Sequence, residues 1–459
     1  MSLRELERLA VLSATLRNPE KLLKRGGRII EIGPDFFRAS GLQEHVSVHD
    51  RLEYESAAGA EFATVLTVTS DCLVAAPFST THGMRIGDPV YISSADRDHD
   101  FDCWLGRVLD PLARPIDGKG PLRGDSIGGK TRQGIPPVMG RQRVNRPLKT
   151  GIRAIDIFTP LCFGQRMGIF AGSGVGKSTL LGMLTNSGSF DCVVVALVGE
   201  RGREVLEFLD DSIGEAARAK TVAIVATSDE SALMRITAPK LAIQAASHFR
   251  AQGRNVLLLM DSVTRFAHAT REIASASGEP PVLRGYPAAV FAELPKLLEA
   301  AGPGLPGSGT TTAIVTVLVD GDDHNEPISD AVRGILDGHI ILDREIANQG
   351  RYPPINLLSS ISRLAPVSWS QEQRVLVQQM KALIARYEET VDLRLLGSWQ
   401  PGADEHLDKA VATVPAIYAA MNQSPHDPKA VDAFSELLRF LKGETAPHSV
   451  QEAKSHAPD

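Results

Sequence analysis

Apolar positions follow four successive rhythms along the chain, and each predicts a different kind of element. Leu3, Leu6, Leu9 and Leu12 recur at near-helical spacing, so residues 1–20 are expected to form a short amphipathic helix. Over residues 21–95 the runs are short and β-rich: GRIIEIG, HVSVHD, EFATVLTVT, DCLVAAPF and DPVYIS, separated by Gly, Asp and Ser. That pattern predicts a small barrel or sandwich. GRVLDPLARPIDGKGPL, rich in Gly, Pro and Asp, reads as a connection. From about residue 150 the apolar runs become continuous: RMGIFAG, CVVVALVGE, TVAIVAT, NVLLLMD, TAIVTVLVD and GHIILD. Strands covered by helices on both faces read this way. Helical stretches lie between them, as in LAIQAASHFRAQG, where Leu241, Ala245 and Phe249 share a face. Residues 96–367 are therefore expected to form an α/β unit with a mainly parallel sheet. After residue 367 the strand pattern stops; 368–445 reads as helical and 446–459 as a disordered tail.

A chain of 459 residues is too long for one ordinary core, in keeping with several units. A formal net charge of −6 argues against wholesale nucleic-acid binding, which needs a basic surface. Cys72, Cys103, Cys162 and Cys192 lack metal-site spacing and read as buried free thiols in a reducing compartment. Arg4, Glu5, Glu7 and Arg8 rule out a signal-peptide reading of the N-terminus, and no apolar run approaches the ~18 residues of a membrane span. A cytoplasmic location is the expectation.

The chemistry concentrates in FAGSGVGKSTLLGML. Gly172, Ser173, Gly174, Val175 and Gly176 allow backbone N–H groups to converge on an anion. The helix that follows adds its positive end. Lys177 would reach the β- and γ-phosphates of a nucleoside triphosphate, and Ser178, followed by Thr179, would offer its hydroxyl to Mg²⁺. Hydrolysis needs carboxylates as well. Asp261 ends the run NVLLLMD and Glu200 ends CVVVALVGE, both where open α/β sheets bind ligands. Asp261 is expected to support Mg²⁺ through water, and Glu200 to orient or activate water.

GRVLDPLARPIDG, AGSGVGKST, LVGERGREV, LLLMDSVTRFA, RGYPAAVFAELPKLLEAAG, VLVDGDDHNEPISDAVRGILDGHIILDR and RYPPINLLSSISR together resemble the signatures of rotary-type ATPases. The likeness is strongest to the type III secretion ATPases and, within them, the flagellar export ATPases. It implies a multi-domain chain: an N-terminal β-barrel, a central RecA-like α/β P-loop domain and a C-terminal α-helical domain, assembled as a homohexamer. It also implies residue roles. Glu200 would be the catalytic glutamate, with Arg201 beside it and Arg265 as a site arginine. Tyr352 would pack on adenine, and Arg363 would be an arginine finger reaching a neighbour's γ-phosphate. The implied partners are a regulator or stator protein at residues 1–20, a stalk-like central protein and chaperone–substrate complexes. Peripheral association with the inner-membrane export gate is implied too, and no specific nucleic acid.

The resemblance therefore points to an Mg-ATP-hydrolysing motor that delivers and unfolds flagellar export substrates. A virulence secretion ATPase is the nearest alternative. A catalytic subunit of an ion-translocating rotary ATP synthase would carry a dense acidic stretch where this chain reads LLGSWQPGADEHLDKAV. A hexameric RNA helicase of the termination type would need stacking aromatics on the N-terminal unit, where Tyr54 has few bases around it. A nucleotide sensor without turnover would not need Glu200. The acidic segment Asp320–Pro327 reads as a solvated or interface loop.

Overall fold

The computed structural model describes residues 25–56, 59–93, 99–122, 137–319 and 326–442. The expected helix of residues 1–20, the tail 446–459 and most of the acidic segment, 320–325, lie outside the described residues.

Alternation builds the N-terminal unit. Leu52 and Tyr54 point inward and Glu53 and Glu55 outward, as a strand with one buried face requires. Among the described residues, six strands close into an antiparallel barrel: β1 (Gly26–Ile32), β2 (Phe37–Ser40), β3 (Arg51–Ser56), β4 (Gly59–Val68), β5 (Leu73–Pro77) and β6 (Pro89–Ile92). Their order is β1-β2-β5-β4-β3-β6. Ile29, Phe37, Leu52, Tyr54, Val65 and Val90 fill the interior. HVSVHD is no strand. It holds the end of a 3-10 turn and a bend in which His49 has φ 78° and Asp50 Oδ2 accepts from Ser47 N. The bend turns the chain into β3, which, like β2, the short-run pattern did not mark. Tyr54 is 2% exposed and bonded to Ser79, so it offers no stacking face to RNA.

The central sheet orders β14-β13-β8-β12-β11-β9-β10-β7. The strands along this path are β7 (Val108–Leu109), β8 (Arg166–Ala171), β9 (Cys192–Glu200), β10 (Thr221–Thr227), β11 (Asn255–Asp261), β12 (Thr310–Leu318), β13 (Gly338–Leu342) and β14 (Ile361–Ser362), and Gly302–Pro303 adds a short ninth strand antiparallel to β12. Pairing along this order is parallel except at β13–β14. All nine residues of β9 are buried; Val193, Val195 and Leu197 face one helical layer and Val194, Ala196 and Val198 the other. The segment read as a connection contributes β7, paired with β10 through Val108–Ala223 and Leu109–Ile224. Two residues are too few to show a period, and the pairing comes from contact with the sheet.

One layer contains α1 (Lys177–Thr185). The other contains α2 (Ala232–Ala251), capped by Ser231, and α3 (Val263–Ala276), capped by Ser262. The C-terminal helices α4 (Gln371–Glu389), α5 (Glu405–Met421) and α6 (Ala433–Leu441) share the core of the α1 layer through Ile384, Val414, Ile417 and Leu437. Among the described residues no helix is long and apolar enough to cross a membrane. All four cysteines are free thiols. Cys162 and Cys192 are buried, whereas Cys72 and Cys103, in less covered positions, are only half-buried.

Candidate active site

The chain leaves β8 at Ala171, turns through Gly172–Gly176 and enters α1 at Lys177. Gly174 has φ 74° and Gly176 φ 96°, conformations that side chains resist, and the loop can therefore curl its N–H groups into a nest. Val175 is 2% exposed and anchors the loop from beneath, while Ser173, Ser178 and Thr179 face outward. Arg344 donates to Ser173 O at 2.9 Å, a brace that the motif does not announce.

Beneath the loop, parallel pairing brings strand ends together. Leu197 of β9 is level with Asp261 of β11, and Glu200 ends its strand just beyond. Lys177 reaches down from α1, and its Nζ donates to Glu200 Oε1 at 3.2 Å and to Asp261 Oδ1 at 2.5 Å. Glu200 is 7% and Asp261 4% exposed. Burial pulls the Lys177 ammonium down, but the two carboxylates outweigh it and hold its pKa above the ordinary lysine value. Two buried carboxylates and an outward serine hydroxyl form an all-oxygen donor set, which fits a hard cation such as Mg²⁺.

Gly199, at φ 70°, gives way to Arg265: a Cβ there would lie 3.1 Å from Arg265 Cβ. Arg265 Nε is buried with no hydrogen-bond partner among the described residues. Arg201 and Arg363 do not join this cluster. The Arg201 side chain is 82% exposed and turns toward Glu204 at 3.9 Å. Arg363 follows β14 at the far edge of the sheet, exposed and without a side-chain partner among the described residues.

A cavity of about 750 Å³ opens beside the loop, between Gly176, Thr179 and Leu180 on one side and Tyr352, Gln423 and Phe440 on the other. Tyr352 is 46% exposed, which leaves its ring accessible to a ligand. The far wall comes from the C-terminal helical region, a contribution no local motif signals. Arg153 ties that wall down, donating to Ala420 O at 2.6 Å and Asn422 O at 2.7 Å. Gln423 adds bonds to Tyr352 O and Gly151 O, at 2.7 and 2.9 Å.

Residues 151–362 match the ATP synthase alpha/beta family, nucleotide-binding domain, and residues 369–439 match the T3SS EscN ATPase C-terminal domain. The chain is 53% identical over 439 residues to the flagellum-specific ATP synthase of Agrobacterium fabrum, covering 96% of this chain and 93% of that one. It is 45% identical over 370 residues to the SPI-2 type 3 secretion system ATPase of Salmonella typhimurium, covering 80% and 84%. Among solved structures it is similar to the assembled ATPase EscN of enteropathogenic E. coli, with a TM-score of 0.84 and 38% identity over 90% of this chain and all of that one. EscN in complex with its central stalk EscO gives a TM-score of 0.81.

Proposed function

This chain belongs to the flagellar and type III secretion branch of the ATP synthase alpha/beta family, and from that premise we propose how its residues carry the work of a protein-export ATPase. It hydrolyses ATP, and the flagellar system is the better supported setting, at 53% identity against 45% for the virulence relative.

The observation that carries the assignment is the bridge from Lys177 to both Glu200 and Asp261 directly below the glycine nest. ATP lays its phosphates in the nest and its base against Tyr352. Lys177 then exchanges its carboxylate partners for the β- and γ-phosphates, a short swing for a flexible ammonium. Ser178, and Asp261 through water, would hold Mg²⁺, which when bound would neutralise charge on the phosphate oxygens. Glu200, freed of Lys177, takes a proton from the water whose oxygen attacks the γ-phosphorus. The bond to the β–γ bridging oxygen breaks, and ADP and phosphate leave. Arg265 places positive charge beside Glu200.

Arg363, exposed at the sheet edge, serves the site of the next subunit, so one chain type supplies both halves of every site. A homohexamer follows, with a stalk-like protein at its centre as EscN has EscO. Residues 1–20 dock a regulator or stator protein, and chaperone–substrate complexes and the inner-membrane export gate are further partners of the cytoplasmic ring. In cells whose chromosomal copy carries Glu200→Gln, motility and secretion of flagellar substrates are expected to be lost. Undiminished motility would exclude the flagellar assignment, and stimulation of the purified ATPase by RNA would favour a helicase.

A further inference from the structure

Thr316 breaks the pattern of its strand. Along β12, Ile314 and Thr316 alternate onto the face that packs against α1, where Ile314 joins Ile169 and Leu259 in the core. Thr316 is 0% exposed, and valine, with the same shape, would fill the position. A hydroxyl buried there needs a partner. It donates to Asp261 Oδ1 at 2.7 Å, with Met260 O farther off at 3.4 Å. The register explains the fit. Val315 pairs with Met260 on one side and Thr316 pairs with Ile169 on the other. The hydroxyl therefore lies level with Asp261, between the strand that feeds the glycine loop and the strand that Asp261 ends.

Lys177 and Thr316 share one oxygen of Asp261. Lys177 has a long flexible stem and a second task at the phosphates, whereas Thr316 is fixed within a strand. We infer that Thr316 is a positioning residue: its hydroxyl keeps Asp261 Oδ1 turned into the protein when Lys177 leaves, so that the other carboxylate oxygen stays directed at the water shell of Mg²⁺. This inference rests on the reading of Asp261 as the cation's partner. Threonine suits the task better than a charged or amide donor, because it adds no charge beside the cation and fits a space sized for valine.

The test is a Mg²⁺ titration of binding of a fluorescent ATP analogue to the full-length protein, with a chelated baseline. Partners behind a metal-supporting group typically change metal affinity 10–100-fold. Thr316→Val is therefore expected to raise the half-saturating Mg²⁺ concentration on the order of tenfold while leaving analogue affinity in chelator unchanged. Thr316→Ser, which keeps the hydroxyl, is expected to retain the wild-type Mg²⁺ requirement. A packing role reverses this order, because serine leaves a methyl-sized gap and valine none. Thr316→Ala also lacks the hydroxyl and is expected to shift the titration as Thr316→Val does, which covers the case in which valine does not fold. A wild-type Mg²⁺ requirement in the hydroxyl-free variants, with Asp261→Asn impaired, overturns the inference alone. A wild-type requirement in Asp261→Asn overturns the reading of Asp261 along with it.

Discussion

Lys177 and Glu200 are in contact, yet their loss has different consequences. Lys177→Ala removes the point charge that faces the terminal phosphates and leaves two buried carboxylates without their shared cation. Both nucleotide binding and turnover are expected to fall. Glu200→Gln keeps the shape of the site, the nest and the Lys177–Asp261 contact, but it has no carboxylate to take a proton from water. General-base contributions run at roughly 10²–10⁴-fold, so Glu200→Gln is expected to bind ATP normally and to lose about that much turnover. Equilibrium binding of a fluorescent ATP analogue and steady-state phosphate release separate the two. Tight binding by Lys177→Ala, or near-normal release by Glu200→Gln, would contradict these roles.

The start of α2 is where the barrel meets the ATPase unit. Ser231 caps the helix through Met234 N, and its hydroxyl donates to Phe78 O of the barrel at 2.9 Å. Glu230, one residue earlier, is half-buried, and its Oε2 has no partner among the described residues. Burial, with Asp110 and Asp229 nearby and Arg114 opposing them, pushes its carboxyl up to about 7. Between the ordinary glutamate value and that one, the folded state binds more protons than the unfolded state. Stability therefore falls as pH rises through this window and stays lowered above it. Glu230→Gln removes the charge at every pH. It is expected to melt above wild type at pH 8, with the gap narrowing by pH 5. Thermal melts at the two pH values check this, and a gap of the same size at both would refute it.

Across the whole molecule, Arg363 and the Lys177–Glu200–Asp261 cluster lie on different parts of the sheet, the arginine beyond its edge strand and the cluster at its central strand ends. Arginine fingers contribute roughly 10³–10⁵-fold in turnover. Arg363→Ala is therefore expected to bind ATP nearly normally and hydrolyse it very slowly. Glu200→Gln is inactive for the complementary reason. Mixing the two inactive proteins under ring-forming conditions makes some boundaries with an intact Glu200 on one side and an intact Arg363 on the other. Single-site turnover is expected to recover in part and to rise with protein concentration. Mixed rings, confirmed by subunit exchange, that show no recovery would make Arg363 a residue of its own subunit.

Much of this organisation is local and therefore legible in the sequence. A parallel strand covered on both faces must be apolar throughout, so CVVVALVGE, TVAIVAT and NVLLLMD coincide with β9, β10 and β11 residue for residue. The glycine loop is legible for a similar reason, since positive φ at Gly174 and Gly176 restricts which residues can stand there. Glu200 and Asp261 stand out as the acids that end two such runs. What tertiary structure decided depends on contacts between distant segments. β2 and β3 form because the barrel closes around them, and β7 forms because β10 offers an edge. The far wall of the nucleotide cavity comes from Gln423 and Phe440, more than two hundred residues after the glycine loop. Thr316 looks like any strand threonine until the register sets it against Asp261. Periodicity reports which face of an element is buried; which side chain waits on the other side of that face is set only when the elements pack.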